Sequence, residues 1–200
     1  WESLNNHVSK SLCYRIYTAF LAEQPGLELV LLRVIQRAFL SHQKISDDFS
    51  DPDILKITQI AKKVGREKHR MEAFIRFKLT KNGIYFANCE PDFNVLPLIK
   101  RHFESRYADQ QWVIYDLKRN YGLYYNLHTT EIINFDFNEN FDATKTDQDY
   151  FDSKELDFQN LWRDYFKSTN IEARKNMRLH IQHVPKRYWK YLSEKQPNLE

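Results

Sequence analysis

The residues best suited by type and spacing to do chemistry are Pro91-Asp92 and, further along, Asp116-Leu117-Lys118. Together they have the form PD…(D/E)xK, which marks a large class of metal-dependent nucleases. In such a site two carboxylates at strand ends hold a divalent metal, and a lysine beside them helps orient the attacking water. An enzyme of this kind would centre on Glu90, Asp92, Asp116 and Lys118 and would need Mg²⁺ or Mn²⁺. The apolar run Trp112-Val113-Ile114-Tyr115 leads into Asp116. Strand alternation puts Asp116 on the face of Trp112 and Ile114, an unusual place for a solvated carboxylate. Other roles compete. Asp92 is suited to cap a helix, and Asp116 to pair with a cation such as Arg76. A helix, not a hairpin, separates the two carboxylates, and DxK is a common triplet. These residues leave open whether the chain is an enzyme.

A second constellation is electrostatic. Residues 163–195 hold nine Lys and Arg against Asp164, Glu172 and Glu194. Within them, Arg174, Lys175 and Arg178 precede the run Lys186-Arg187-Tyr188-Trp189. Cations attract phosphates and aromatic faces stack on bases, so this mixture points to nucleic acid. The competing reading is a solvated basic helix whose rings plug into the core. Residues 56–81 carry nine basic side chains against Glu67 and Glu72, a balance of +7. Residues 131–164 carry ten acids against Lys145, Lys154 and Arg163, a balance of −7. Charge is therefore segregated although the net charge is only +3, as a protein with one anion-facing surface would have it. His180 and His183 lie one helical turn apart, but no third ligand is implied, so no metal site is expected.

Other chemistries find no support. No GxSxG, P-loop, GxGxxG or iron–sulfur spacing occurs, and Gly is scarce at four residues. Cys13 and Cys89 sit in no metal-spaced pattern, which predicts a reduced, cytoplasmic chain without cofactors. No run of eighteen apolar residues exists, so no membrane span is expected.

The elements that must position these residues read as α+β. Two hundred residues suit a single domain. Residues 9–22 and 27–40 have helical spacing and are broken by Pro25-Gly26, predicting a helical hairpin. Asp51-Pro52 is a helix start signal. The helix it opens, from about 53 to 71, buries Ile54, Ile57, Ala61 and Val64. Its other face carries Lys62, Lys63, Arg66, Lys68 and Arg70, and His69-Arg70 ends the helix. Residues 73–79 alternate as a strand with Arg76 at its middle, and Asn82-Gly83 turns the chain into a return strand over 84–89. Inward, Arg76 would need Glu90, Asp92 or Asp116 as a partner. A helix over about 92–107 and strands at 111–117, 121–127 and 131–137 complete a small antiparallel sheet with a ββαββ-like middle. Helices from the two ends of the sequence flank it. An acidic loop at 138–154, helices at about 155–169 and 171–183, and a short helix after Pro185 close the chain.

The ordered phrases AKKVGREKHRMEAFIRF (61–77), EPDFNVLPLIKRHFESRY (90–107), WVIYDLKR (112–119) and PKRYWKYL (185–192) together resemble a bacterial family of probable DNA metabolism proteins. The domain of that family is itself formally of unknown function. The resemblance implies a place in DNA repair or modification beside a radical SAM protein, and in some members fusion to a uracil-DNA glycosylase-like domain. It implies no established catalytic residue. It also implies a further N-terminal segment with a YDG-like stretch, absent from a chain that opens at Trp1. The first functional expectation is therefore a DNA-binding protein. Its contacts would be Lys62, Lys63, Arg66, His69, Arg70, Arg174, Lys175, Arg178, Lys186, Arg187, Tyr188 and Trp189. The alternatives are the metal-dependent DNA-processing enzyme, and a protein-interaction module using the acidic loop and the aromatic C-terminus.

Overall fold

A computed structural model describes residues 1–41, 43–134, 151–152, 161 and 177–195. The helix predicted at about 155–169 and the acidic loop lie almost wholly outside the described residues, as does the first half of the helix predicted at 171–183. The chain gathers into two compact units. The first is Trp1–His69 with Asp92–Val95, and the second is Arg70–Pro91 with the chain from Leu96 onward.

The first unit is helical. It holds α1 (Glu2–His7), α2 (Lys10–Phe20), α3 (Leu27–Leu40) and most of α4 (Pro52–Phe74). The last three start for local reasons. The Ser9 hydroxyl accepts the Leu12 N–H at 3.0 Å and caps α2. Gly26, at φ +79°, takes the left-handed conformation that turns the chain into α3. Asp51 accepts the N–H groups of Asp53 and Ile54 at 2.8 and 3.2 Å, with Pro52 at the first helical position. Leu12, Ile16, Val30, Leu31, Val34, Ile54, Ile57 and Val64 are buried at helical spacing and form the core.

The second unit is built on a five-stranded sheet of order β1-β2-β3-β4-β5. The strands are β1 (Lys78–Leu79), β2 (Tyr85–Cys89), β3 (Trp112–Asp116), β4 (Tyr121–Tyr125) and β5 (Thr130–Ile133). Helix α5 (Leu96–Arg106) joins β2 to β3, so that central pair is parallel while the other three pairs are antiparallel. A helical crossover returns the chain to the same end of the sheet, which imposes the parallel register. The α+β class thus holds, in a sheet that is mostly antiparallel. Trp112 is fully buried between Phe103 of α5, at 6.1 Å, and Tyr125 of β4, at 5.3 Å between ring centroids. On the other face Tyr115 lies over Gly122, where an added Cβ would stand 2.7 Å from the tyrosine ring. After the described part of this unit resumes come α6 (Met177–His183) and 3-10 helices at Lys186–Tyr191 and Ser193–Lys195.

One local reading is corrected. Residues 73–79 alternate like a strand, yet α4 continues through Phe74, and the Ile75 N–H still bonds the Met71 carbonyl at 3.1 Å. The good helix formers Met71, Glu72 and Ala73 outweigh the alternation. Only Lys78–Leu79 remain as strand. Arg76 is therefore not mid-strand. It donates to the Ala73 carbonyl at 2.6 Å, meeting a carbonyl left open at the helix end.

Candidate nucleic-acid interface

Helix α4 separates its charges by sign. Lys56, Lys62, Lys63, Arg66 and His69 are exposed, and Arg70 is half-buried. At 3.6 residues per turn these positions share one side of the helix, running along four turns. The acids of the helix go elsewhere. Asp53 is bound by Arg33 at 2.7 Å and Arg37 at 3.4 Å, and the Arg33 hydrogen bond holds its carboxyl below the usual range. Glu67 is 1 % exposed and accepts the Asp92 N–H at 2.9 Å. Glu72 is largely buried, 3.9 Å from His102 Nδ1. Among the described residues, no carboxylate pairs with Lys62, Lys63 or Arg66.

The C-terminal segment differs. Arg174 and Lys175 lie outside the described residues, while Arg178, Lys186 and Arg187 are exposed. Tyr188 is 2 % exposed and packs on Phe74 at 5.5 Å, so it is a core residue and not a platform for a base. Arg187 lies over that ring at 4.6 Å and donates to its hydroxyl at 2.7 Å. Trp189 donates its indole N–H to the Val184 carbonyl at 3.0 Å. Its ring meets His180 at 6.0 Å and the Lys195 ammonium at 5.6 Å. Burial pushes the His180 imidazole down, and Lys195 adds to the effect. Lys190 is bound to Glu90 at 2.7 Å, and Arg76 to the buried Glu194 at 2.9 Å. Glu194 is thus the partner of Arg76, in place of Glu90, Asp92 or Asp116.

The PD…DxK residues serve a turn. Asp116 is fully buried at the end of β3. One carboxylate oxygen accepts the backbone N–H groups of Lys118 and Arg119, at 2.9 and 3.2 Å. The other accepts Arg119 Nη1 at 2.8 Å, and the same nitrogen reaches the Pro91 carbonyl at 3.2 Å. Burial raises the Asp116 carboxyl above its usual range, against the pull of Arg119. Glu90 belongs to the same unit, just after Cys89, which pairs in register with Asp116. Asp92 belongs to the first unit, and α5 begins only at Leu96, so Asp92 does not cap it. The Tyr191 hydroxyl is buried. Burial first, and then Glu90, hold it protonated. Among the described residues, no group of three or more His, Cys, Asp or Glu is placed to hold a metal ion.

Three contributors escape the sequence reading: Arg119 as partner of Asp116, Glu67 as a buried acceptor, and Tyr191 at the strand ends. Only Arg119, three residues after Asp116, leaves a local signal. Cys13 and Cys89 are both buried. No helix among the described residues is long and apolar enough to cross a membrane.

No curated protein and no solved structure matches this chain. A family model does match, over residues 25–194, and it is described as a domain of unknown function, DUF4130. That span takes in α3, α4, the whole sheet and the C-terminal 3-10 helices, so the chain belongs to the DUF4130 family.

Proposed function

We propose that this protein binds DNA through the basic face of α4, as a component of a DNA repair or modification system. The observation that carries the reading is the exposed set Lys62, Lys63 and Arg66, with no carboxylate partner among the described residues, on a helix whose acids are buried or paired elsewhere. A cation already neutralised inside the fold has little to offer a phosphate. An unneutralised one releases counterions when a phosphate replaces them. Lys56, His69 and Arg70 extend the same face, and Arg178, Lys186 and Arg187 supply further exposed cations on the C-terminal segment. The resemblance to probable DNA metabolism proteins supports DNA as the anion and a radical SAM protein as the working partner.

The metal-dependent alternative has less behind it, because the Asp116 carboxylate is already occupied by three donors in its own turn. The test is fluorescence anisotropy of labelled DNA across a salt series. Binding that weakens steeply with salt, and a slope lowered by about one unit per neutralised contact in Lys62→Ala/Lys63→Ala/Arg66→Ala, is the expected result. Absence of any salt-sensitive affinity, with retained capture of a radical SAM protein, would overturn it in favour of a protein-interaction module.

A further inference from the structure

Resting on that reading, we propose that the α4 face is built for duplex DNA, gripped through its phosphates without regard to sequence. The face is two rows of cations. Lys56, Lys63 and Arg70 are seven residues apart, which sets them on one line at intervals of about 10 Å. Lys62 and Arg66 form a second row, displaced around the helix by roughly a quarter turn, with the His69 ring at its end. Between the rows lies Gln59, which is exposed. Two rows of positive charge on one rigid rod match two rows of phosphate, and a helix fits the roughly 12 Å major groove of B-DNA.

What the face lacks decides between duplex and single strand. Single-strand binders interleave cations with rings on which successive bases stack. The exposed face of α4 carries no Phe, Tyr or Trp. Of the exposed rings, Tyr14, Phe20 and Phe39 belong to α2 and α3, and Trp1 and Phe49 precede α1 and α4. The arginines of those two helices are already bound to acids: Arg15 to Asp47 at 3.0 Å, Arg33 to Asp53 at 2.7 Å and Arg37 to Asp51 at 2.8 Å. In the C-terminal segment Tyr188 is buried, and Trp189 is engaged by His180 and Lys195. Lys10 of α2, one turn from the exposed Tyr14, is an exposed cation beside a ring, whereas on α4 the exposed Lys62, Lys63 and Arg66 stand without one. A single strand bound at α4 would forgo stacking, about a tenfold gain for each base. It would also present about half the axial charge density of a duplex.

The experiment is a competition on the full chain, with one labelled sequence offered as duplex and as single strand at matched length and salt. The duplex is expected to bind at least about tenfold tighter. An unlabelled duplex of unrelated sequence should displace it as well as the cognate one does. Neutralising Lys56, Lys62, Lys63 and Arg66 to Ala should remove about 3.6 from the log–log salt slope, 0.9 for each contact. Lys62→Gln/Lys63→Gln gives a milder pair, checked by circular dichroism, should the fourfold variant fold poorly. Preference for the single strand would overturn the duplex assignment and leave the DNA-binding reading standing. An unchanged slope in folded variants would remove α4 from the interface. No binding to either form would overturn both.

Discussion

The basic face of α4 and the Asp116 turn are both dense in charge, and the folded chain uses them in opposite ways. At the turn the buried charge is consumed. Asp116 is fully buried, and its two oxygens take two backbone N–H groups and the Arg119 guanidinium. On α4, Lys62, Lys63 and Arg66 stand in solvent, while Glu67 of the same helix is turned into the first unit. Charge inside the fold holds geometry, because a desolvated carboxylate persists only with its donors. Charge outside the fold adds little to stability and is available to a partner.

The contrast can be broken by mutation, and the largest effect belongs to the turn. Asp116→Ala removes the carboxylate that two backbone N–H groups and Arg119 share, and a loss of about 3–5 kcal/mol is expected in urea unfolding. A loss below about 1 kcal/mol would mean that Asp116 is not structural and would return it to the list of catalytic candidates. Gly122→Ala comes next. Its new Cβ would meet the Tyr115 ring at 2.7 Å and the Ile114 carbonyl at 2.8 Å, and overpacking of this kind costs about 1–3 kcal/mol. Asp51→Ala removes the cap of α4, at about 1 kcal/mol, and tests whether the basic rod depends on its own N-terminus.

A pH series sharpens the same contrast with a smaller effect. The folded Asp116 carboxyl titrates above its ordinary range, so the native state holds its proton longer than the unfolded chain does. Its contribution to stability therefore falls as pH rises from the ordinary carboxylate range through the folded value. Asp53 is shifted down, chiefly by the Arg33 hydrogen bond, and its contribution is lost as pH falls through its lowered value. Differences in unfolding midpoint between the parent and the Asp116→Asn or Asp53→Asn variants should thus slope in opposite directions with pH.

Features encoded within a few residues were legible in the sequence. The Asp51-Pro52 start, the Pro25-Gly26 break, the Asn82-Gly83 turn and the apolar stripes of α2 to α4 all lie where local rules put them. The α+β class followed from them. The parallel β2–β3 pair departs from the antiparallel sheet expected, because the helix between the strands returns the chain in the same direction. What stayed hidden depends on distance along the chain. Arg76 and Glu194 are 118 residues apart, and Lys190 and Glu90 are 100 apart. No periodicity reports such pairings. Tyr188 looked like a base platform because composition shows a ring among cations and says nothing of the Phe74 ring that covers it. On α4 the basic face could be read because its helix is long, regular and amphipathic.

The most direct test compares two kinds of cation in one assay. Lys62→Ala/Lys63→Ala/Arg66→Ala removes cations that no described carboxylate neutralises, whereas Lys190→Ala removes one bound to Glu90 at 2.7 Å. Salt-dependent anisotropy on duplex DNA should show the first variant losing about 2.7 from the slope, 0.9 for each contact, with Lys190→Ala close to the parent. Equal slopes for parent and triple variant, or a larger loss from Lys190→Ala, would contradict the assignment of DNA binding to α4.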